Sequence, residues 1–262
     1  MSQTPEHIER DDATSIFDAD PILGNYVSHH PSNRIRLTII SLIIYALPVF
    51  ALQLMFWTVE TEVASVFLPI VFAIIGGGAF WFSAHHWNRE VVLYERGLSY
   101  RQGSATAYIL YANVVKLIQN IERVSFLGLS RTVYDYKLTT DLDETLIINN
   151  VYSNPERLTR SLDAFIARDR LPIIRHKIAE GGDASFNDNL RINREGIMLD
   201  DRILLWQEYK AQRVKHGVLY IQSREDDEWA VIPVTEIDNP VLLIAALKDR
   251  GQSPEPSQEK QA

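Results

Sequence analysis

Two apolar runs, residues 37–57 (LTIISLIIYALPVFALQLMFW) and 63–84 (VASVFLPIVFAIIGGGAFWFSA), are separated only by Thr58, Val59, Glu60, Thr61 and Glu62, and they decide how the rest of the chain is read. Each has about 20 residues, the length a helix needs to cross a hydrocarbon layer of roughly 30 Å. A backbone group left unpaired in lipid costs several kcal/mol, so a connection this short forces the second helix back beside the first. The expectation is a two-helix transmembrane hairpin over residues 34–84. Arg34 and Arg36 precede it and Arg89 follows it, while the connecting turn carries only Glu60 and Glu62. By the positive-inside rule both termini then face the cytoplasm. A cleavable signal peptide fits less well: the first run starts far from Met1 and no small-residue cleavage site precedes the second. Gly76, Gly77 and Gly78 suit close helix packing, Pro48 and Pro69 suit bends, and Trp57, Trp81 and Trp87 suit the lipid–water interface.

Outside the hairpin the composition is that of a soluble protein. The net charge of −8 over 262 residues is diffuse, with much of it in Glu6, Glu9, Asp11, Asp12, Asp18 and Asp20, which argues against a nucleic-acid partner. The absence of cysteine excludes a disulfide framework, a thiolate nucleophile and any cysteine-ligated metal. Residues 1–33 read as a disordered cytoplasmic tail, and residues 251–262 (GQSPEPSQEKQA) as another.

From Glu90 the apolar period changes to two. VVLY, a turn at Glu95-Arg96-Gly97 and LSYR predict a β-hairpin, with further strands through AYILYANVVKL, TVYDYKLT and TLIIN. Asn154 and Pro155 then open a helix, with Leu158, Leu162, Phe165 and Ile166 on one face. The same order recurs downstream. Gly196 follows Arg194-Glu195 as Gly97 follows Glu95-Arg96, and Trp206 takes the place of Tyr111 in the next strand. A second acidic turn, Glu225-Asp226-Asp227-Glu228, answers Asp141-Leu142-Asp143-Glu144, and Asn239-Pro240 opens a second apolar helix. One fold is expected twice, over residues 90–170 and 189–250, with a Gly181-Gly182 linker over residues 171–188.

Antiparallel strands closed by one C-terminal helix resemble a pleckstrin-homology-like (PH-like) unit, a bent sheet or barrel plugged by its helix. With the hairpin, the chain resembles an uncharacterised bacterial membrane protein family in which a transmembrane hairpin precedes tandem PH-like domains. The resemblance is carried by Gly97, Gly196, Tyr111, Trp206, Asn154-Pro155 and Asn239-Pro240 and spans residues 34–250. It implies a membrane α-helical hairpin plus a mainly β (α+β) soluble region at a bacterial cytoplasmic membrane, and it supplies architecture and not mechanism. The second copy is short for such a unit, so a lost or borrowed strand is expected.

No catalytic or cofactor-binding constellation is legible. His29-His30 and His85-His86 lack a carboxylate at ligand spacing, the acidic turns lack the EF-hand pattern, and Ser125, Ser130 and Ser185 lack a G-x-S-x-G setting. The basic segment Arg157, Arg160, Arg168, Arg170, Arg175 and Lys177 is the one surface feature with a functional reading, as a strip facing anionic lipid, although Asp163, Asp169 and Glu180 dilute it. The expected role is a non-enzymatic adaptor or scaffold for protein binding or self-association. The alternatives are a lipid sensor acting through residues 157–177 and an enzyme of unidentified type.

Overall fold

The computed structural model describes residues 20–57, 62–126 and 129–251. The first strand lies upstream of the apolar hairpin. β1 (Tyr26–Pro31) leads through Ser32 and Asn33 into helix α1 (Arg34–Trp57), and α2 (Glu62–Trp87) returns through Asn88 and Arg89 to β2 (Glu90–Tyr94). β1 and β2 pair antiparallel, with His29 opposite Val92 and Pro31 opposite Glu90. The helical hairpin is therefore inserted between two neighbouring strands of one sheet. This corrects the reading of residues 1–33 as a tail: 26–31 are a strand, whereas 1–19 lie outside the described residues. With two histidines and a proline in YVSHHP, β1 shows no apolar alternation of its own; it is held by its partner and by Leu23, buried on Val92 and Tyr94.

Both helices are long and apolar enough to cross a membrane, and very little of either is buried against the rest of the protein. They pack on each other through small groups. Ser41 Oγ lies 2.7 Å from Ser83 Oγ, and a Cβ added at Gly76 would meet the Tyr45 ring at 3.3 Å. Gly77 and Gly78, expected in the same contact, face open space.

Downstream, β2, β3 (Gly97–Gln102) and β4 (Ala105–Leu110) complete a four-stranded antiparallel sheet with β1. β5 (Val114–Phe126), β6 (Leu129–Thr140) and β7 (Thr145–Asn149) form a three-stranded sheet, followed by helix α3 (Pro155–Ala179). The second half repeats the plan. β8 (Ala184–Ser185), β9 (Leu190–Ile192), β10 (Gly196–Leu199) and β11 (Arg202–Leu205) make four strands, β12 (Tyr209–Lys215), β13 (Val218–Ser223) and β14 (Ala230–Pro233) make three, and α4 (Pro240–Gly251) is the last described element. No sheet closes on itself. The second copy has lost no strand, because β8 lies inside the expected linker.

The duplication extends to single hydrogen bonds. A Cβ at Gly97 would sit 2.5 Å from the Ile109 carbonyl oxygen, and one at Gly196 2.1 Å from that of Leu204, so each strand crossing admits only glycine. Tyr111 and Trp206 each lie just after the fourth strand, in a turn rather than in the expected strand. Their amides donate to Arg96 and Glu195 carbonyls, both at 3.1 Å. Their ring polar groups turn back alike, Tyr111 Oη to the Tyr94 carbonyl and Trp206 Nε1 to that of Asn193, both at 3.1 Å. A buried ring with one polar atom must find an acceptor, and here the hairpin before it supplies one.

The expected linker is mostly helix. α3 runs on through Pro172, with Leu171, Ile174 and Ile178 packed on the core, and Gly181 (φ +87°) and Gly182 terminate it by donating to the Ile178 and Lys177 carbonyls. Both halves share one core running from Val91 to Leu247. Polar contacts lock the seam: Leu117 N donates to the Asp238 carbonyl at 2.6 Å, Asn239 Nδ2 to that of Val115 at 2.7 Å, and Lys116 Nζ meets Asp238 at 2.7 Å. The two copies form one body, with no free hinge between them.

Leu247, fully buried, should lose about 2–5 kcal/mol on replacement by Ala, and the half-buried Phe165, stacked on Tyr111, less. Denaturant melts check this ranking. Strand insertion makes a sharper forecast: replacing residues 34–87 by an Asn-Gly turn should yield a soluble folded protein, since β1 and β2 are already adjacent. Truncation to residue 90 should lower the denaturation midpoint, because it strips β1 and Leu23 from β2. Equal midpoints for the two variants would mean that β1 adds nothing.

Candidate functional site

The sheet's first two strands and the approach to α3 meet at the foot of the helical hairpin, and this junction gathers polar contacts between segments distant in sequence. Asn33 caps α1, its Oδ1 accepting the Arg36 amide at 3.1 Å, while its own amide donates to the Val151 carbonyl at 2.7 Å. Ser32 Oγ donates to the Trp87 carbonyl at 2.6 Å, and Ser153 N to that of Pro31 at 2.8 Å. Leu37, in the first turn of α1, is 1% exposed. The Arg36 guanidinium reaches over to donate from Nη1 to the Asn150 carbonyl. Asn150 in turn extends the β6–β7 ladder by one step: its Oδ1 accepts from Tyr134 N at 2.6 Å and its Nδ2 donates to the Thr132 carbonyl at 2.9 Å.

The histidines belong to this scaffold. His29 Nε2 lies 3.1 Å from Glu90 Oε2, whereas His30, buried, lies 3.3 Å from the Ser153 carbonyl and 3.1 Å from Ser28 Oγ. Desolvation holds the His30 pKa below its ordinary value, against the opposing pull of the Ser153 carbonyl. Adjacent strand positions point apart, and among the described residues no three His, Asp or Glu groups converge on a metal-sized site. Trp87 carries the Arg34 guanidinium 5.5 Å above its ring, and Trp81 is 66% exposed with His85 stacked on it. Trp57 ends α1, and its side chain lies outside the described residues.

The basic segment does not gather into one patch. Arg160 pairs with Glu156 at 2.6 Å. Arg168 is held by Asp169 and the Glu95 carbonyl and lies over the Phe165 ring, and Arg170 Nη1 donates to the Ala112 carbonyl at 3.0 Å. Arg175 is bound to Asp249 across the seam between the copies, Nε donating at 2.9 Å. Arg157 and Lys177 are exposed and join no ion pair among the described residues. Four of the six cations therefore already have an acceptor, and three of them, Arg168, Arg170 and Arg175, reach across to another segment.

Asp163, read from sequence only as a charge diluting that segment, faces inward instead. Its Oδ1 accepts from Gln119 Nε2 at 2.8 Å and its Oδ2 from Tyr136 Oη at 3.4 Å. Burial pushes its carboxyl up to about 7, against the opposing effect of the Tyr136 hydrogen bond. Burial likewise raises the Tyr136 hydroxyl. Helical spacing could have flagged Asp163, which lies within the apolar face that includes Leu162 and Ile166.

A carboxyl that holds its proton more tightly when folded stabilises the fold fully below its unfolded value of about 4, and that contribution fades as pH rises through 7. Wild type should therefore lose more stability between pH 5 and pH 8 than Asp163→Asn does. Melts over this range read the difference, and parallel slopes would place the carboxyl in water.

A family model described as a family of unknown function (DUF6585) matches residues 17–256. No curated protein and no solved structure matches the chain.

Proposed function

The chain belongs to the DUF6585 family of unknown function, and we propose from its architecture that it is a non-enzymatic membrane-anchored adaptor. In this reading α1 and α2 cross a bacterial cytoplasmic membrane, and two fused PH-like units present a rigid surface on its cytoplasmic face for a protein partner or a second copy of the chain. The observation that carries it is the insertion of the apolar hairpin between paired strands β1 and β2.

Pairing across the hairpin supports a topology in which the start of α1 and the end of α2 share one compartment, in keeping with Arg34, Arg36 and Arg89 flanking the two apolar runs and Glu60 and Glu62 between them in sequence. A cleaved signal sequence ending in α1 would remove β1 from its sheet. A soluble core helix would be covered, whereas Leu42, Leu47, Phe50, Ile74 and Phe80 lie open on the hairpin. The four-strand, three-strand, helix order in each half supports the PH-like assignment, although the sheets are open. The shared core supports a scaffold rather than two arms on a tether. Lipid sensing through residues 157–177 keeps support only from Arg157 and Lys177.

Cysteine accessibility tests the topology, because the chain has no native thiol to give background. An impermeant maleimide should label Thr61→Cys in intact cells, and Ser104→Cys and Lys215→Cys only after permeabilisation. Labelling of all three in intact cells would overturn the topology. Flotation of the variant with residues 34–87 replaced separates the two roles: the adaptor leaves it unbound to liposomes, whereas binding that depends on anionic lipid would select the sensor.

A further inference from the structure

At the foot of α1 a cavity of about 360 Å³ opens between the helix and the three-stranded sheet, lined by Arg36, Val133, Tyr134, Asn149 and Asn150, with Asp135 on its rim. We propose that it binds one membrane phospholipid whose head group carries both a phosphate and a primary amine, the phosphate on Arg36 and the amine on Asp135. The inference rests on the reading that α1 and α2 cross a membrane.

Arg36 is the first argument. A guanidinium has five N–H donors, and among the described residues only Nη1 finds an acceptor, the Asn150 carbonyl. Nε is buried without a partner, and Arg36 joins no ion pair among the described residues. A buried charged donor without an acceptor is costly, and a phosphate is the acceptor whose geometry the guanidinium fork matches. Arg89 and Arg170 also bury an unpartnered Nε, whereas Arg160, Arg168 and Arg175 each bind a carboxylate of this chain; of the three arginines with an orphaned Nε, Arg36 is the one that lines this cavity.

Asp135 is the second. It lines the same cavity, lies beyond ion-pair distance of Arg36, and is exposed. An acid on the wall opposes a purely anionic ligand, but it complements a zwitterion that puts a cation about one head-group length from its phosphate. A primary ammonium can donate hydrogen bonds to it, whereas a quaternary one cannot.

Position is the third. Arg36 is the third residue of α1, so at a rise of 1.5 Å per residue it lies within about 5 Å of the helix start. In the proposed topology this is head-group level, with the apolar flank of α1 available to the acyl chains. The far wall is the β5–β6 hairpin, which runs on past β7: Val133 and Val124 belong to its extension and are 37% and 49% exposed.

Native mass spectrometry of the intact chain in mild detergent tests this, using phosphatidylethanolamine, phosphatidylcholine and phosphatidylglycerol at equal concentration. Wild type should retain one phosphatidylethanolamine with roughly ten-fold preference over the other two, the scale of one charge-assisted hydrogen bond. Asp135→Asn should abolish the preference over phosphatidylglycerol while keeping the lipid. Val133→Trp, which leaves Arg36 and its contacts in place, should block retention of all three. Arg36→Gln should do the same, and its thermal midpoint shows whether the fold survived.

Equal retention of the three lipids by wild type, or an unchanged preference in Asp135→Asn, would overturn the proposal. Equal competition by water-soluble glycerophosphoethanolamine would overturn the membrane source. A chain washed from membranes by carbonate would fail the spanning reading itself, whereas a chain that stays and shows no preference fails this inference alone.

Discussion

The pairing of β1 with β2 is the constraint on which the rest of the molecule depends. Neighbouring strands lie about 5 Å apart, so this ladder clamps the start of α1 and the end of α2 to one separation. It also fixes where the first unit begins, since a sheet that needs β1 cannot start at residue 90. Ser32, Asn33 and Ser153 then tie the clamp to the start of α3, so the helical hairpin grows out of the unit without a tether. In the proposed setting, a chain so built transmits the orientation of its spans directly to the sheets.

α3 makes the second half part of the same body. Its 25 residues serve both copies, with Leu158, Leu162, Ile166 and Ile178 in the one buried cluster that also holds Ala184 and Phe186 of the second half. A unit of about 60 residues buries a modest share of its unfolded surface and is marginal alone. Fusion of the two cores relieves that limit, and Arg175–Asp249 and Lys116–Asp238 align the pieces at the rim. Their exposed ion pairs contribute little stability and act mainly on registry.

Much of the architecture was legible from local signals. The apolar runs announced themselves by length, and the duplication by glycines whose hydrogen atoms touch a neighbouring carbonyl and by aromatics that answer the same turn. What was hidden depends on partners distant in sequence. β1 is too polar to read as a strand until Val91 and Val92 are placed beside it, and β8 is two residues long. Pro172 and Gly181-Gly182 read as linker chemistry, yet apolar contacts of Leu171, Ile174 and Ile178 carry the helix past the proline. The junction was equally invisible, because Arg36, Asp135 and Asn150 converge only in three dimensions. Charge counting in residues 157–177 found cations but could not see that most already had acceptors.

Inserting a membrane hairpin inside a β-hairpin also sets an order of assembly. His29 emerges from the ribosome 63 residues before its partner Val92, and in the proposed setting both apolar helices must be placed in the bilayer within that interval. A chain whose spans fail to insert as a pair leaves β1 and β2 on opposite sides of the membrane or far apart, with their edges unpaired. Such a chain exposes β2 and the apolar surface that Leu23 should cover, features that mark it for proteolysis. In the proposed setting, formation of the β1–β2 ladder reports correct insertion, a check that needs no component beyond the order of the segments.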